Sequence, residues 1–508
     1  MKPVPLGISR CVATLAMSIL LVAATALGES SGLDVGRVSD LDLGAVRRLI
    51  DESRGDLEAL PSELKVLTLE ESLKIALEHN LGLQITALEV EAQEYEIPTA
   101  KAKFYPTAGL AAEAGDLRIE SNSGEVDKAE MQRGGAFVQQ EIPTGGALTL
   151  EAGYSRYVSD DAPVLPGGPR DRSTTEGAGL RIELRQPLLR GGRIYVARRE
   201  ILDAEFNLEI RQSQLQAEIL EVGAEIKTAY YRTIEARRLI QVIEDAIARD
   251  RKLIEYSQAL YDAGHVSSRD VLSAELRLAS NETRLAQRRA GLATAKNGLR
   301  DALGLPVETQ IEIADRTIPF YPVELKLGEW IERAHANRPE LMMLRTRLEQ
   351  SELTLKIRKN ALLPSLDVVG DYGQGADFRS HDWHVGLALE FPIGNVAARS
   401  LLAAAESDHT RIERQYVEEK RRIERELQDI EINLRENLDR LKALMDSVEQ
   451  ARAKGKIARA RFEQGLANNL DITDADEALV NAESLLLRAL VGYATNVAVL
   501  EARIAGPL

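Results

Sequence analysis

Asp471 and Asp474 are the residues whose types and spacing most invite a chemical reading. They lie in RFEQGLANNLDITDAD, Arg461 to Asp476. There a helical pattern stops at Gly465, a polar Asn468–Asn469 pair follows, and a new helical pattern begins. Three residues apart, the two carboxylates share one helix face. Close like charges need neutralising, so such a pair attracts cations. A plainer reading stands beside it. Asn468-x-x-Asp471 has the spacing of a helix cap, an acid in a first turn complements the helix dipole, and Asp474 would be solvated surface.

Nothing else in the chain has the spacing of a reactive site. HDWH, His381 to His384, would place its histidines on opposite sides of a strand, so it is read as a loop and strand-end surface, and the other histidines are scattered. No nucleophile motif, phosphate loop or metal-ligand cluster is present. The expectation is therefore a protein that is not an enzyme, with no cofactor and no metal site.

The aspartates sit in a repeated plan. LYDAGHVSSRDVLSAE, Leu260 to Glu275, matches the later stretch at an offset of 201, pairing Gly264 with Gly465 and Asp270 with Asp471. The partner of Asp474 is Ser273, so a cap at that position does not require an acid. Leu69–Pro106 aligns without a gap to Leu327–Pro364 at an offset of 258. Each half thus opens with a helix ending near YP or LP and closes with a helix-break-Asp-helix unit. The first repeat spans 67–306 and the second 326–505, with a proline-bearing linker over 307–325.

Between these units lie strand-like segments, about 107–190 in the first repeat and 364–394 in the second. Leu387, Leu389 and Phe391 alternate with small or charged residues, a period of two. Tyr154, Tyr157, Tyr195, Tyr372, Trp383 and Phe391 fall in or beside the strands. They suit an interfacial girdle, or reflect ordinary strand propensity. IPTGG, Ile142 to Gly146, reads either as a hairpin turn or as a kink within one strand. Each strand region feeds a long helix with an a/d seam: Val222, Ile226, Ala229 and Thr233 onward in one, Ile423, Leu427, Ile430 and Leu434 onward in the other. Asn437 is the polar exception, a register device or a tolerated half-solvated amide. Pro98 is expected to end or kink the first helix.

Composition limits the function. The net charge of -16 argues against nucleic-acid binding. Residues 1–28 read as a secretory signal, in preference to a membrane anchor, and 29–66 as an N-terminal extension. The only cysteine, Cys11, lies in the signal, so the mature chain would have no disulfide. No 18-residue apolar run is expected after the signal, so a membrane crossing would have to use a closed β-barrel.

The chain resembles the outer-membrane efflux protein family, the TolC-like channel-tunnels. The resemblance rests on LTLEESLKIALEHNLGLQ, PELMMLRTRLE, LRQPLLRGGR and the two Gly-to-Asp units, and covers about Leu67 to Ile504. It implies a mainly α fold with a β-barrel part. Long coiled-coil helices would form a tunnel, with four or more membrane strands per chain and a homotrimeric twelve-stranded barrel. The implied function is the outer-membrane exit duct of a tripartite efflux or type I secretion system in a Gram-negative-type bacterium. Its partners would be a periplasmic adaptor and an inner-membrane pump of the RND or ABC type. Threefold symmetry would turn Asp471 and Asp474 into stacked carboxylate rings at an iris-like gate, a cation-selective arrangement. Arg269 and Asp270 would make gate contacts, with capping as the larger role of Asp270. Two tips, at 261–270 and 462–471, would meet the adaptor through Ala263, Gly264 and His265 and through Gln464, Gly465 and Leu466. The competing reading is a non-channel periplasmic coiled-coil scaffold or adaptor.

Overall fold

The fold was obtained as a computed structural model that describes residues 65–506, apart from 121–125, 162–170, 319, 376–380 and 465. The expected signal, most of the 29–66 extension and Gly465 lie outside the described residues. In chain order the elements are β1 (Lys65–Leu67), α1 (Leu69–His79), α2 (Leu81–Ala102), β2 (Thr107–Glu120), β3 (Val126–Glu141), β4 (Ala147–Asp161) and β5 (Asp171–Pro187). Then come α3 (Ile194–Ala197), α4 (Arg199–Asp262), α5 (Ser268–Ala302), β6 (Ile311–Ile313), α6 (Leu327–Asn337) and α7 (Pro339–Ala361). The chain ends with β7 (Ser365–Gly375), β8 (His381–Glu390), α8 (Val396–Glu463) and α9 (Asn469–Arg503).

The chain divides into two compact units. One comprises Gln93–Asn207 and Leu348–Arg411 and holds the large sheet; the other comprises 65–92, Leu208–Arg347 and Ile412–Leu508 and is helical.

In the first unit six antiparallel strands form one sheet in the order β2-β3-β4-β5-β7-β8. The second repeat supplies two of them and the first supplies four, so the minimal four per chain is exceeded by one hairpin. IPTGG is a hairpin turn between β3 and β4: Ile142 N–H donates to Gly146 O at 2.8 Å and Gly145 N–H to Ile142 O at 2.8 Å. The base of the sheet is tied by Asn360, whose Oδ1 accepts from Gly191 N at 2.9 Å and whose Nδ2 donates to Leu189 O at 3.2 Å.

Register gives the sheet two different faces. Ala108 and Leu110 on β2, Ala136 and Val138 on β3, and Leu148 and Leu150 on β4 share one face. That face continues through Leu180, Ile182 and Leu184 on β5, Leu366 and Val368 on β7, and Trp383, Val385, Leu387 and Leu389 on β8. The four β8 side chains are 67–72% exposed. The opposite face carries Glu151, Arg181, Glu183, Arg185, Asp367, Asp371, Asp382 and His384. Arg185 donates to Asp367 at 2.7 Å on that face. HDWH, expected as loop and strand end, lies wholly within β8, with His384 on the charged side and His381 on the apolar side.

In the second unit the long helices bury the expected seams. Ile423, Leu427, Leu434 and Leu441 on α8 are 0–1% exposed, and Val448 is 5% exposed. The first four pack with Trp330, Leu341, Ala489, Tyr493 and Leu500, and Val448 packs with Ala451, Leu479 and Ala482. Asn437 is half-buried. On α4 the buried stripe is wider than an a/d seam, taking in Tyr230, Ile234, Leu239 and Ala246. Tyr230 and Ile234 pack against a partner beyond the helices, Leu67, Ile311 and Ile313 of a parallel β1–β6 ladder whose second strand lies inside the expected linker, whereas Ala246 packs with Val480 of α9. Tyr230 Oη donates to Asp315 Oδ2 at 2.7 Å beside the ladder.

Three details depart from the sequence expectations. The opening helix of each repeat is two helices, broken at Asn80 and Arg338, positions related by the same 258-residue offset. Asn80 Oδ1 caps Leu83 N at 3.1 Å, and Pro339 starts α7 with a φ suited to a first turn. Of the two outcomes expected at Pro98, an end to the helix is not observed, since α2 runs on to Ala102; close to the C-terminus, only the last turn must adapt to the missing N–H. Finally, α9 is apolar enough by length and composition to cross a bilayer, contrary to the expected absence of such a run. Its apolar side instead packs in the helical unit through Ala489, Tyr493 and Leu500.

Leu434→Ala removes a fully buried seam residue and leaves a cavity, which should cost about 2–5 kcal/mol. Chemical denaturation of the detergent-solubilised protein checks this, with the half-exposed Ile432→Ala expected to change the midpoint little.

Candidate functional site

The two helix-break-Asp-helix units fold as equivalent hairpin tips. In the first, α4 ends at Asp262, His265 N–H returns to Leu260 O at 2.8 Å, and Gly264 adopts φ +79. This is a Schellman-type stop, and the left-handed residue favours glycine. In the second, Leu466 N–H returns to Arg461 O at 2.8 Å, the same bond displaced by 201 residues.

Each returning helix starts with a capping box. Ser267 N–H donates to Asp270 Oδ2 at 3.0 Å. Asn468 N–H donates to Asp471 Oδ2 at 2.9 Å, while Asp471 N–H donates to Asn468 Oδ1 at 3.0 Å. Both repeated aspartates therefore satisfy backbone groups that a helix start leaves open. Their carboxylates are shared between this role and any other.

Asp474 differs. It is exposed and forms an ion pair with Lys454 of α8. Its repeat partner Ser273 bonds back to Arg269 O at 2.8 Å. Arg269 is exposed, as are Ala263, Gly264, His265, Gln464 and Leu466, and Asp270 is half-buried.

The two tips meet in a shared core of Leu253, Ala274, Ala458, Phe462, Ile472 and Ala475. Asn469 is buried there and its Nδ2 reaches Ser257 Oγ at 2.8 Å and Asp270 O at 2.9 Å. Behind this core lies a buried ionic network that sequence reasoning missed. Asp476, 2% exposed, faces Arg459 Nη2 at 2.7 Å, Arg249 Nε at 3.3 Å and Arg277 Nη2 at 3.6 Å. Asp250, 1% exposed, meets Arg277 Nε at 2.9 Å and accepts from Asn281 Nδ2 at 2.5 Å. One network thereby joins α4, α5, α8 and α9. Burial pushes the Asp250 carboxyl above its ordinary value, against the pull of Asn281 and Arg277. Such a carboxyl binds protons more tightly when folded, so its contribution to stability declines as pH rises through the folded value. Only the apposition of four distant segments makes these charges a cluster; each alone reads as a solvated helix face.

On the sheet, Asp371, Asp382 and His384 lie close enough to share an ion. Arg181 stands 3.7 Å from Asp371 and 4.0 Å from Asp382, so a cation already occupies that neighbourhood.

Asp476→Ala should destabilise the helical unit by about 3–5 kcal/mol, because it strands the largely enclosed guanidinium groups of Arg249 and Arg277. Asp474→Ala breaks only an exposed pair and should stay within about 1 kcal/mol. Urea denaturation followed by circular dichroism separates the two.

The sheet, the paired long helices and the duplicated tips together match known proteins. The pattern described as Outer membrane efflux protein matches residues 147–305 and 330–506. Nodulation protein T of Rhizobium leguminosarum bv. trifolii is 20% identical over 317 residues, covering 60% of this chain and 67% of that protein. Alkaline protease secretion protein AprF of Pseudomonas aeruginosa is 21% identical over 343 residues, covering 62% and 66%. The outer membrane protein VceC of Vibrio cholerae has the same fold, with a TM-score of 0.63 and 17% identity over 86% of this chain and 96% of that one. With most of its length matched by that pattern, the chain belongs to the outer membrane efflux protein family.

Proposed function

We propose that the chain is one protomer of a homotrimeric outer-membrane exit duct with a large periplasmic part. It passes substrates outward from a periplasmic adaptor and an inner-membrane pump of the RND or ABC type, and carries out no reaction of its own. The observation that carries this reading is the two-faced sheet. A soluble scaffold has no use for a β8 face on which Trp383, Val385, Leu387 and Leu389 all stand exposed. A barrel wall has, with that face toward lipid and the charged face toward a water-filled lumen. The name of AprF, which refers to protease secretion, agrees with an export role.

In the same reading the tips close the duct, and Asp474 supplies the charge of its constriction. Asp471 is held by its cap, so it contributes a fixed ring, whereas the exposed Asp474 pairs, among the described residues, with the flexible Lys454. The exposed Ala263–His265 turn and the exposed Gln464 and Leu466 are the proposed adaptor contacts, with Gly465 between the latter two by sequence, and Arg269 is the gate contact.

Planar-bilayer recording of the purified full-length protein tests both parts. The expected result is a cation-selective conductance with divalent-ion block, and Asp474→Ala should lower the selectivity and weaken the block several-fold. Unchanged selectivity in Asp474→Ala would remove the gate assignment alone. A monomeric protein without conductance would remove the duct.

A further inference from the structure

The sheet has two open edges among the described residues: β2 pairs only with β3, and β8 only with β7. Its strands alternate in direction throughout, and their number is even. A second copy's β2 laid against β8 would therefore be antiparallel, like every other pairing.

The registers also drift steadily in one sense. Thr107 at the base of β2 lies level with Gln139, then Thr149, Glu183, Asp371 and His384. His384 is six residues short of the end of β8 at Glu390. Six residues of stagger over five pairings correspond to about 20 Å along the strands for about 24 Å across them, a tilt of about 40°. Closed barrels require a tilt of about 35–45°.

The β2–β3 hairpin is an integral part of this wall. Gly109 lies under the Phe137 ring, where a Cβ would come within 2.5 Å of it, so the two strands fit each other closely. Leu110, 87% exposed, extends the apolar face to the edge. The hairpin also precedes Ala147, where the matched family pattern begins.

From these observations we infer that three copies close an eighteen-stranded barrel, six strands from each, with β8 of one copy paired to β2 of the next. The inference rests on the trimeric duct proposed above. It replaces the twelve strands that four per chain would provide. Barrel diameter grows roughly with strand number, so the lumen would be about one and a half times as wide, in the size range of aqueous channels. The closing register is also fixed within narrow limits. A per-chain stagger of six residues sets Ala108 of the next copy opposite Leu389, and one of eight sets Leu110 there. These correspond to tilts of about 35° and about 43°.

Cysteine pairs test the seam in the full-length chain carrying Cys11→Ser. Leu389→Cys is combined with Ala108→Cys or Leu110→Cys, and separately with Leu148→Cys or Leu150→Cys. The latter pairs report a twelve-stranded barrel with β4 at the seam. The expected result is oxidation-dependent covalent dimers and trimers in a β2 combination and none in either β4 combination. Linkage through β4, or none through β2 in a protein that is trimeric in detergent by light scattering, would overturn the eighteen-stranded barrel and leave the duct intact. A monomeric mass for the parent protein would overturn both. Strand counting by electron cryomicroscopy of the unmodified trimer gives the same decision should the variants fail to assemble: eighteen supports the inference and twelve ends it.

Discussion

A backbone that meets lipid must have every N–H and C=O paired, and this constraint organises the rest of the chain. Within the sheet the antiparallel ladders meet it, strand by strand. Strands must then be added in hairpins, because a single extra strand would leave the chain on the wrong side of the wall. The hairpin turn at Ile142–Gly146 obeys this rule. It inserts two strands while β2 still follows α2 and β5 still leads to α3 and α4. The elements that enter and leave the sheet in the first repeat are therefore unchanged by the extra hairpin.

The alternation along the strands also determines what was legible in the sequence. Leu387 and Leu389 alternate with Gly386 and Ala388, and a period of two shows in one dimension. The seam from Ile423 to Val448 was legible for the same reason, as was the duplicated stop-and-cap at Gly264/Asp270. What was not legible depends on distant segments. The short β1–β6 ladder joins residues 65–67 to 311–313, and neither segment carries a strand signal at that length. The burial of Tyr230 and Ile234 on α4 goes with that ladder and was invisible without it. The breaks at Asn80 and Arg338 did have a signal, an Asn and an X-Pro at equivalent repeat positions, but the surrounding helical pattern outweighed it. IPTGG remained open because a turn and a kink use the same residues; its register decides the matter.

Buried charge makes the tips a specific structure as well as a stable one. A network such as Asp250–Arg277–Asp476–Arg459 repays its desolvation only when the geometry of all four helices is correct. A helix sliding by one turn along its seam would keep most apolar contacts but would strand these charges. The network therefore acts on register, where the apolar seams are permissive. Asn469, reaching both Ser257 and Asp270 O, does the same at the end of the hairpins.

Three aspartates on one helix show how position divides a single side-chain chemistry. Asp471 is committed to Asn468 at the start of α9, Asp474 stands in solvent against Lys454, and Asp476 is enclosed by three arginines. The first fixes where the helix begins and the last fixes how it packs. Only the middle one has neither duty, and its repeat partner Ser273 spends its hydroxyl on the backbone of its own helix. An acid at 474 is therefore unexplained by folding. In a trimer its charge would face the axis with only an exposed lysine to offset it, and exposed pairs exchange with solvent ions at little cost. In the proposed duct, where copies of the chain would converge at the tips, a residue that folding does not need is the part of the tip best suited to interact with whatever passes through.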